Sequence, residues 1–207
     1  MVICIRKMGC YDVGMVFLTN YGSTNQPRLF QSTAAKNGRS GFCYNLSMDL
    51  LSFLAENNIS FERFDHPAVF TVEESSKLPP IPGAGTKNLF LRDEKGSRFF
   101  LASVSHEKRV SLKDLGKILA AKKLSFGSPE MLKQYLGVEP GSVTLLGLIH
   151  DVDHRVEVII DQELWDAEQI QCHPLVNTAT LIISHDGLEK FMKVTGHEPR
   201  VLVVPER

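Results

Sequence analysis

Thr86-Lys87-Asn88-Leu89-Phe90-Leu91-Arg92-Asp93-Glu94-Lys95-Gly96-Ser97-Arg98-Phe99-Phe100-Leu101-Ala102-Ser103-Val104 reads as two extended runs around a turn. Leu89 and Leu91 recur with period two, Asp93-Glu94-Lys95-Gly96 supplies turn chemistry, and Phe99, Phe100 and Leu101 carry the return. A hairpin over Leu89 to Val104 is therefore expected. On the same period Lys87 shares a face with Leu89 and Leu91, so an ammonium starts an otherwise apolar face. A lysine is rarely buried without a partner: the site must supply an anion, open to water at the strand end, or do both. Snorkelling at a strand terminus is the alternative that the pattern leaves open.

Working outward from the hairpin, helical and extended signals alternate from Leu46 onward. Ser47 can cap a helix whose Leu50, Leu51 and Leu54 share a face, and Thr71-Val72-Glu73-Glu74 reads as a capping box opening a second. Ser111 caps a helix with Leu112, Leu115, Ile118 and Leu119 on one side, and Ser128-Pro129 opens another that ends before Gly137. Extended runs are expected at Val143 to Ile149, Val156 to Asp161, Thr178 to Ser184 and Arg200 to Val204, with a helix around Gly187 to Val194. The class is α/β or α+β with a mixed sheet. Short turns within Leu89 to Val104 and within Val143 to Asp161 argue against a purely parallel, doubly wound arrangement.

With 207 residues, 43% hydrophobic and 23% charged, the chain has the composition of an ordinary globular protein with one main domain. No apolar run approaches the roughly 20 residues that span a bilayer, and the start lacks a hydrophobic signal core with a cleavage site, so a cytoplasmic location is expected. Cys4, Cys10, Cys43 and Cys172 have no metal-like pairing, and neither a zinc site nor a disulfide framework follows. Up to Asn45 there are five basic residues (Arg6, Lys7, Arg28, Lys36, Arg39) and one acid, Asp12; the remainder holds 18 basic and 23 acidic residues. Residues 1–45 are expected to be a flexible leader, with a targeting peptide or an upstream start codon as its origin, and 46–207 the working domain.

Several stretches could carry chemistry. Ile81-Pro82-Gly83-Ala84-Gly85 is a glycine-containing approach to Lys87, but Asn88 and a strand follow where a phosphate loop needs Ser or Thr and a helix. Glu139-Pro140-Gly141-Ser142 makes a tight turn whose backbone amides could bind a carbonyl or hydroxyl oxygen. Cys172-His173-Pro174-Leu175-Val176-Asn177-Thr178 sets an imidazole, an amide and a hydroxyl around a rigid proline; His173 could orient a substrate or transfer a proton, or be a structural histidine. His150-Asp151-Val152-Asp153-His154 holds four potential metal ligands in five residues, yet it bridges two strand-like runs and reads better as a solvated hairpin turn. HExxH and Gly-x-Ser-x-Gly are absent.

Four blocks in this order resemble a family: Phe64-Asp65-His66-Pro67-Ala68-Val69-Phe70-Thr71-Val72-Glu73-Glu74, Gly85 to Asp93, Gly137-Val138-Glu139-Pro140-Gly141-Ser142-Val143-Thr144, and His173-Pro174-Leu175-Val176-Asn177-Thr178. They look like the YbaK/prolyl-tRNA-synthetase-associated editing domain, nearest its free-standing ProX or PrdX branch, over Met48 to about Val203. The resemblance implies a mixed, largely antiparallel and partly barrel-like central sheet surrounded by helices. It implies a trans-editing deacylase that hydrolyses the ester of alanine mischarged on proline tRNA, needing no cofactor and no metal. Lys87 would hold the acceptor end of the tRNA, Gly141 would position the aminoacyl group and His173 is the histidine of the HPL motif; Asn88, Ser142, Thr71 and Asn177 fall in as substrate-binding residues. Water attack assisted by the substrate's own 2′-hydroxyl, with Lys87 and the loop amides fixing geometry, is the expected mechanism.

Relatives carry Gly-x-x-x-Pro in this loop, whereas Leu145 stands four residues after Gly141, which bears on pocket size and leaves cysteinyl or seryl esters as alternatives. The acidic domain calls for local rather than broad recognition of a polyanion. Lys108, Arg109, Lys113, Lys117, Lys122 and Lys123 could meet the acceptor stem or form a solvated helix face, and a prolyl-tRNA synthetase or elongation factor could deliver the tRNA. Rival readings are a non-catalytic tRNA-binding module on the same fold and a small metal-dependent hydrolase using His150 and His154.

Overall fold

The computed structural model describes residues 49–68 and 80–207; the leader, the Ser47 cap, the Thr71 capping box and Thr71 as a binding residue lie outside the described residues. In chain order the elements are α1 (Leu50–Glu56), β1 (Phe61–Asp65), β2 (Thr86–Arg92), β3 (Phe99–Ser105), α2 (Leu112–Ile118), β4 (Ser125–Phe126) and α3 (Pro129–Leu136). A 3-10 helix (Leu145–His150) follows, then β5 (Val156–Asp161), α4 (Gln162–Trp165), β6 (Gln169–Cys172), β7 (Ala179–Ser184), α5 (His185–Thr195) and β8 (Arg200–Leu202).

The expected hairpin is present: β2 and β3 pair antiparallel, with Arg92 opposite Phe99 and Lys87 opposite Val104. Its turn is tied by the Asp93 carboxylate, which accepts from the Ser97 and Arg98 amides at 2.8 and 3.2 Å and from the Ser97 hydroxyl at 2.9 Å. Gly96 takes the left-handed φ of 66° that closes the turn. Burial alone would raise the Asp93 pKa; these bonds outweigh it and hold the carboxyl below its usual range.

The sheet order is β4-β2-β3-β5-β8, with β3, β5 and β8 mutually parallel and β2 and β4 antiparallel to their neighbours. Both faces are covered. Phe90, Phe99, Leu101, Val158 and Ile160 turn to one core with Leu132, Leu136, Leu145 and Leu148, while Leu91, Phe100, Ala102 and Ile159 turn to a second with Leu115 and Leu119. A strand buried on both faces reads as a continuous apolar run, which is why Phe99-Phe100-Leu101 shows no alternation.

A second sheet, β1-β7-β6, is antiparallel throughout. It meets the first where Ala84 bridges Ile170 in parallel: the Ala84 amide donates to Gln169 O at 2.8 Å and the Gln171 amide to Ala84 O at 2.9 Å. The mixed α+β architecture is as expected, and the barrel-like element takes the form of two sheets joined at this bridge rather than a closed barrel among the described residues.

Three expectations are corrected. Val143 to Ile149 is not a strand; the Thr144 hydroxyl accepts from the Leu146 amide at 3.3 Å and starts the 3-10 helix, in which Leu145 to Ile149 are all buried. A short, wholly apolar run has no period to tell a buried strand from a buried helix. The stretch His150 to His154 is therefore a turn between a helix and β5, not a hairpin. Ile118 is 47% exposed, because it stands about 100° round the helix from Leu119, off the face formed by Leu112, Leu115 and Leu119. Helix α1 is capped by Asp49, whose carboxylate accepts from the Ser52 amide at 3.2 Å. Among the described residues no helix is long and apolar enough to cross a membrane.

Candidate functional site

The junction of the two sheets organises the site. Thr86 Oγ1 donates to Gln171 O at 2.7 Å, extending the parallel register begun by Ala84 and Ile170. From Thr86 onward β2 pairs with β3 and β4, while β6 ends at Cys172 and leads directly into His173 and Pro174. Gln171 secures the approach loop: its Nε2 donates to the carbonyls of Ile81, Pro82 and Gly83 at 2.9, 3.2 and 3.1 Å. Gly85 is required by crowding, since a Cβ there would come within 2.5 Å of His106 Nδ1.

His173 is held in one tautomer. Its Nδ1 lies 3.2 Å from Ala179 O, and a carbonyl only accepts, so Nδ1 carries the proton and the Nε2 lone pair points away from that bond. Burial pushes the imidazole pKa below its ordinary 6.5, helped by the neighbouring His66 and opposed by the Ala179 bond, so the ring is neutral at neutral pH. The His66 ring sits 6.5 Å away, centroid to centroid, at 63°. Its Nδ1 donates to Pro67 O at 2.9 Å and its Nε2 meets Thr180 Oγ1 at 3.0 Å. The loop between β6 and β7 is stressed at Leu175, whose φ is 65°. That residue packs against the same apolar cluster as Ala84 and Val143.

Lys87 and Asn88, being successive, leave β2 on opposite faces. The Asn88 Oδ1 is buried and has no hydrogen-bond partner, while its Nδ2 reaches Thr86 Oγ1 only at 3.5 Å. A buried amide oxygen of this kind is costly unless a ligand completes it. The Lys87 ammonium donates to the carbonyls of His106, at 3.2 Å, and of Lys108. The partner demanded by the sequence pattern is therefore a pair of neutral acceptors, and the positive charge is left unneutralised. Partial burial and the nearby Arg109 charge lower the Lys87 pKa from 10.5, with Glu206 opposing.

Glu139 to Ser142 has the residue pattern of a type II turn, with Pro140 second and Gly141 third at φ 92°. The Ser142 amide donates to Glu139 O at 3.0 Å, so it is consumed by the turn rather than offered to a substrate. Leu145 is only 1% exposed and belongs to the core, where packing holds it in place.

A sequence profile described as the aminoacyl-tRNA editing domain matches residues 66–191. The chain is 35% identical over 181 residues to prolyl-tRNA synthetase associated domain-containing protein 1 of Danio rerio, covering 86% of this chain and 98% of that one. It is 34% identical over 150 residues to the prolyl-tRNA editing protein ProX of Acetoanaerobium sticklandii, covering 72% and 91%. This chain belongs to the aminoacyl-tRNA editing domain family. A solved structure of a proposed trans-editing enzyme for prolyl tRNA synthetase has the same fold, with a TM-score of 0.58 at 20% identity over 78% of this chain and 99% of that one.

Membership in the editing-domain family, in its ProX-like branch, makes the chain an aminoacyl-tRNA deacylase. Of the residues singled out from sequence, Lys87, Asn88, His173 and the half-buried Asn177 lie on β2, the end of β6 and its following loop; Gly141 and Ser142 lie on the turn leading to Val143, which packs on the same cluster. Sequence reasoning missed His66 as a neighbour of His173. The signal was the repeated His-Pro pair, His66-Pro67 and His173-Pro174.

Three of the four possible metal ligands at 150–154 are engaged elsewhere. Asp151 accepts from the Arg155 and Val156 amides at 2.9 and 2.7 Å and pairs with buried His197 at 3.2 Å. His154 Nε2 lies 3.0 Å from Thr195 O, and the His150 ring packs over Gly137. No metal-ligating cluster occurs among the described residues. Cys172 is buried in apolar surroundings that push its thiol up to about 12, far from a reactive thiolate.

Proposed function

We propose that this deacylase acts in trans on proline tRNA mischarged with alanine. The observation that carries the reading is the buried Asn88 Oδ1 without a partner, on the same strand as the Lys87 cation, in a chain of the editing-domain family. Lys87 suits the terminal phosphate, Asn88 Oδ1 suits the substrate's ammonium or a hydroxyl, and His173 Nε2 suits a hydrogen bond from a ribose hydroxyl or the attacking water. Water attack assisted by the terminal 2′-hydroxyl requires no side-chain base, and His173 then positions rather than transfers. Ser142 and Asn177 complete the pocket wall, and Gly141 lets the chain turn close to the aminoacyl group.

Editing of this kind is needed because a prolyl site excludes a smaller amino acid by only about 1–3 kcal/mol per missing methylene. The names of the relatives, a prolyl-tRNA editing protein and prolyl-tRNA synthetase associated proteins, support proline tRNA as the carrier and a synthetase as the partner that hands it over. Local recognition is also favoured by the charge. Of the basic cluster, Lys117 pairs with Asp114 at 2.6 Å and Lys108 is withdrawn to Asp161, which leaves Arg109, Lys113, Lys122 and Lys123 exposed for the acceptor stem.

The test is a deacylation panel of alanyl-, cysteinyl- and seryl-tRNA with proline identity, native chain against Lys87→Ala. Preference for the alanyl ester and its loss in the variant are expected. Preference for the cysteinyl or seryl ester would move the substrate assignment, and no hydrolysis of any member would leave a binding module on this fold.

A further inference from the structure

The loop that holds Lys87 is itself clamped by a buried ion pair. Lys108 Nζ lies 2.6 Å from Asp161 Oδ2, with side chains only 11% and 1% exposed. The second Asp161 oxygen accepts from the Val204 amide at 3.0 Å, so one carboxylate at the end of β5 ties the loop and the C-terminal segment together. That segment then pairs along the loop: the Ser111 amide donates to Pro205 O and the Arg207 amide to Arg109 O, both at 2.8 Å, with Val110 and Glu206 bridged antiparallel. The other flank is fixed by the His106 amide on Gly85 O at 3.0 Å.

A buried charge pair contributes little net stability over apolar residues of the same volume, so its presence here calls for a reason other than stability. Its position supplies one. The residue that places its ammonium on Asp161 is the same residue whose carbonyl receives the Lys87 ammonium. We infer that Lys108 and Asp161 are positioning residues for the deacylation reaction, which hold the loop carbonyls so that the Lys87 ammonium is aimed while its charge stays unneutralised. A carboxylate placed directly on Lys87 would fix the ammonium equally well, but would cancel the charge that an RNA phosphate is to meet. Moving the carboxylate one residue back, onto Lys108, fixes the geometry through neutral carbonyls. The C-terminal strap of Pro205 to Arg207 completes the clamp. The inference rests on Lys87 being a substrate-anchoring residue, as proposed above.

The experiment is a double-mutant cycle on deacylation of alanyl-tRNA of proline identity. Lys108→Met/Asp161→Asn removes both buried charges together and avoids stranding either one, and thermal unfolding verifies that it folds. Truncation after Val204 loosens the loop without touching the buried pair and serves as a second background, with Glu206→Gln in the full chain as the control for the charge that it removes. If placement within about an ångström matters, each background lowers kcat/KM by about ten- to a hundredfold. Lys87→Ala, costly in the native chain, then adds less than about threefold in either background, because the lysine is no longer aimed. Lys108→Arg, which keeps the pair, recovers most of the loss. If Lys87→Ala lowers the rate by the same factor in native and clamp-deleted chains, the pair does not act through Lys87 and the inference is overturned while the site stands. If Lys87→Ala has no effect in the native chain, the anchoring role falls and the clamp with it.

Discussion

Gly85→Ala isolates the contribution of loop placement without altering any polar group. An alanine methyl at this position would meet His106 Nδ1 at 2.5 Å and its Cε1 and Cγ at 3.1 Å each. Those separations are too short, and since Cγ is involved the ring cannot escape by rotation about its own axis alone. The His106 side chain is 51% exposed, so the ring can swing outward with its backbone following, and the cost falls at the lower end of overpacking, about 1 kcal/mol. For a domain of this size that lowers Tm by about 2–4 °C. The effect on turnover is expected to be larger than the effect on stability. His106 O is one of the two acceptors of the Lys87 ammonium, and displacing it by a fraction of an ångström to an ångström costs up to about a hundredfold. The assay is single-turnover deacylation beside thermal unfolding, on Gly85→Ala and on Gly85→Ala/His106→Ala. Removing the ring removes the clash, and the double variant is expected to regain native activity within about threefold. A Gly85→Ala chain of native activity, or a loss that His106→Ala does not reverse, refutes the claim that crowding at Gly85 governs where the loop carbonyls stand.

Stability should depend on pH through two half-buried histidines: partial burial holds His173 and His150 below the ordinary 6.5, so the unfolded chain takes up protons first. Their contribution is complete above about pH 6.5 and is lost as the pH falls through the folded values, and His173→Ala should flatten the fall in Tm between pH 7.5 and 5. The same variant tests mechanism, since loss of the acidic limb of the pH–rate profile would give His173 a direct proton-transfer role, and an unchanged limb leaves it as a positioning group. Asp151→Ala strands two backbone amides and His197, and is expected to cost about 3–5 kcal/mol in urea titration while leaving the activity of each folded molecule unaltered. Leu145→Ala should cost about 2–5 kcal/mol in the same titration; the ratio of alanyl- to seryl-tRNA hydrolysis should not move, and a shift beyond about threefold would place Leu145 on the pocket wall after all.

Much of the fold was legible because its strongest local signals agree with one another. The Asp93 to Gly96 turn, the Ser111 and Ser128 caps and the left-handed Gly137 each work as their residue types require. What was hidden had no local signal. Leu145-Leu146-Gly147-Leu148-Ile149 is apolar at every position, and the caps that make it a 3-10 helix are read only after Thr144 is seen to accept from Leu146. The parallel bridge of Ala84 to Ile170 links residues far apart in sequence and depends on no side-chain pattern, yet it is what joins the approach to Lys87 onto the second sheet. Lys87 was visible as an anomaly in the strand, but its carbonyl partners were not, since backbone acceptors leave no trace in composition. The Lys108–Asp161 clamp was hidden for the opposite reason: Lys108 lay in a run of basic residues that reads as solvated surface.

Leu145 bears on where amino-acid specificity resides. With its side chain in the core, Leu145 cannot line a pocket, so on the proposed reading pocket size is set by other residues. Two features among the candidate segments carry a local cost. Leu175, two residues after His173, holds a φ of 65°, which costs a residue with a Cβ roughly 1–2 kcal/mol and persists only because its side chain packs against the core. Asn88 keeps a buried carbonyl oxygen without a partner, a cost of about 1–3 kcal/mol that a bound ligand would recover. Strain and an unmet acceptor both oppose folding, and neither is needed to build either sheet. On the proposed reading, a ligand group that donates to Asn88 Oδ1 would remove the larger of these costs.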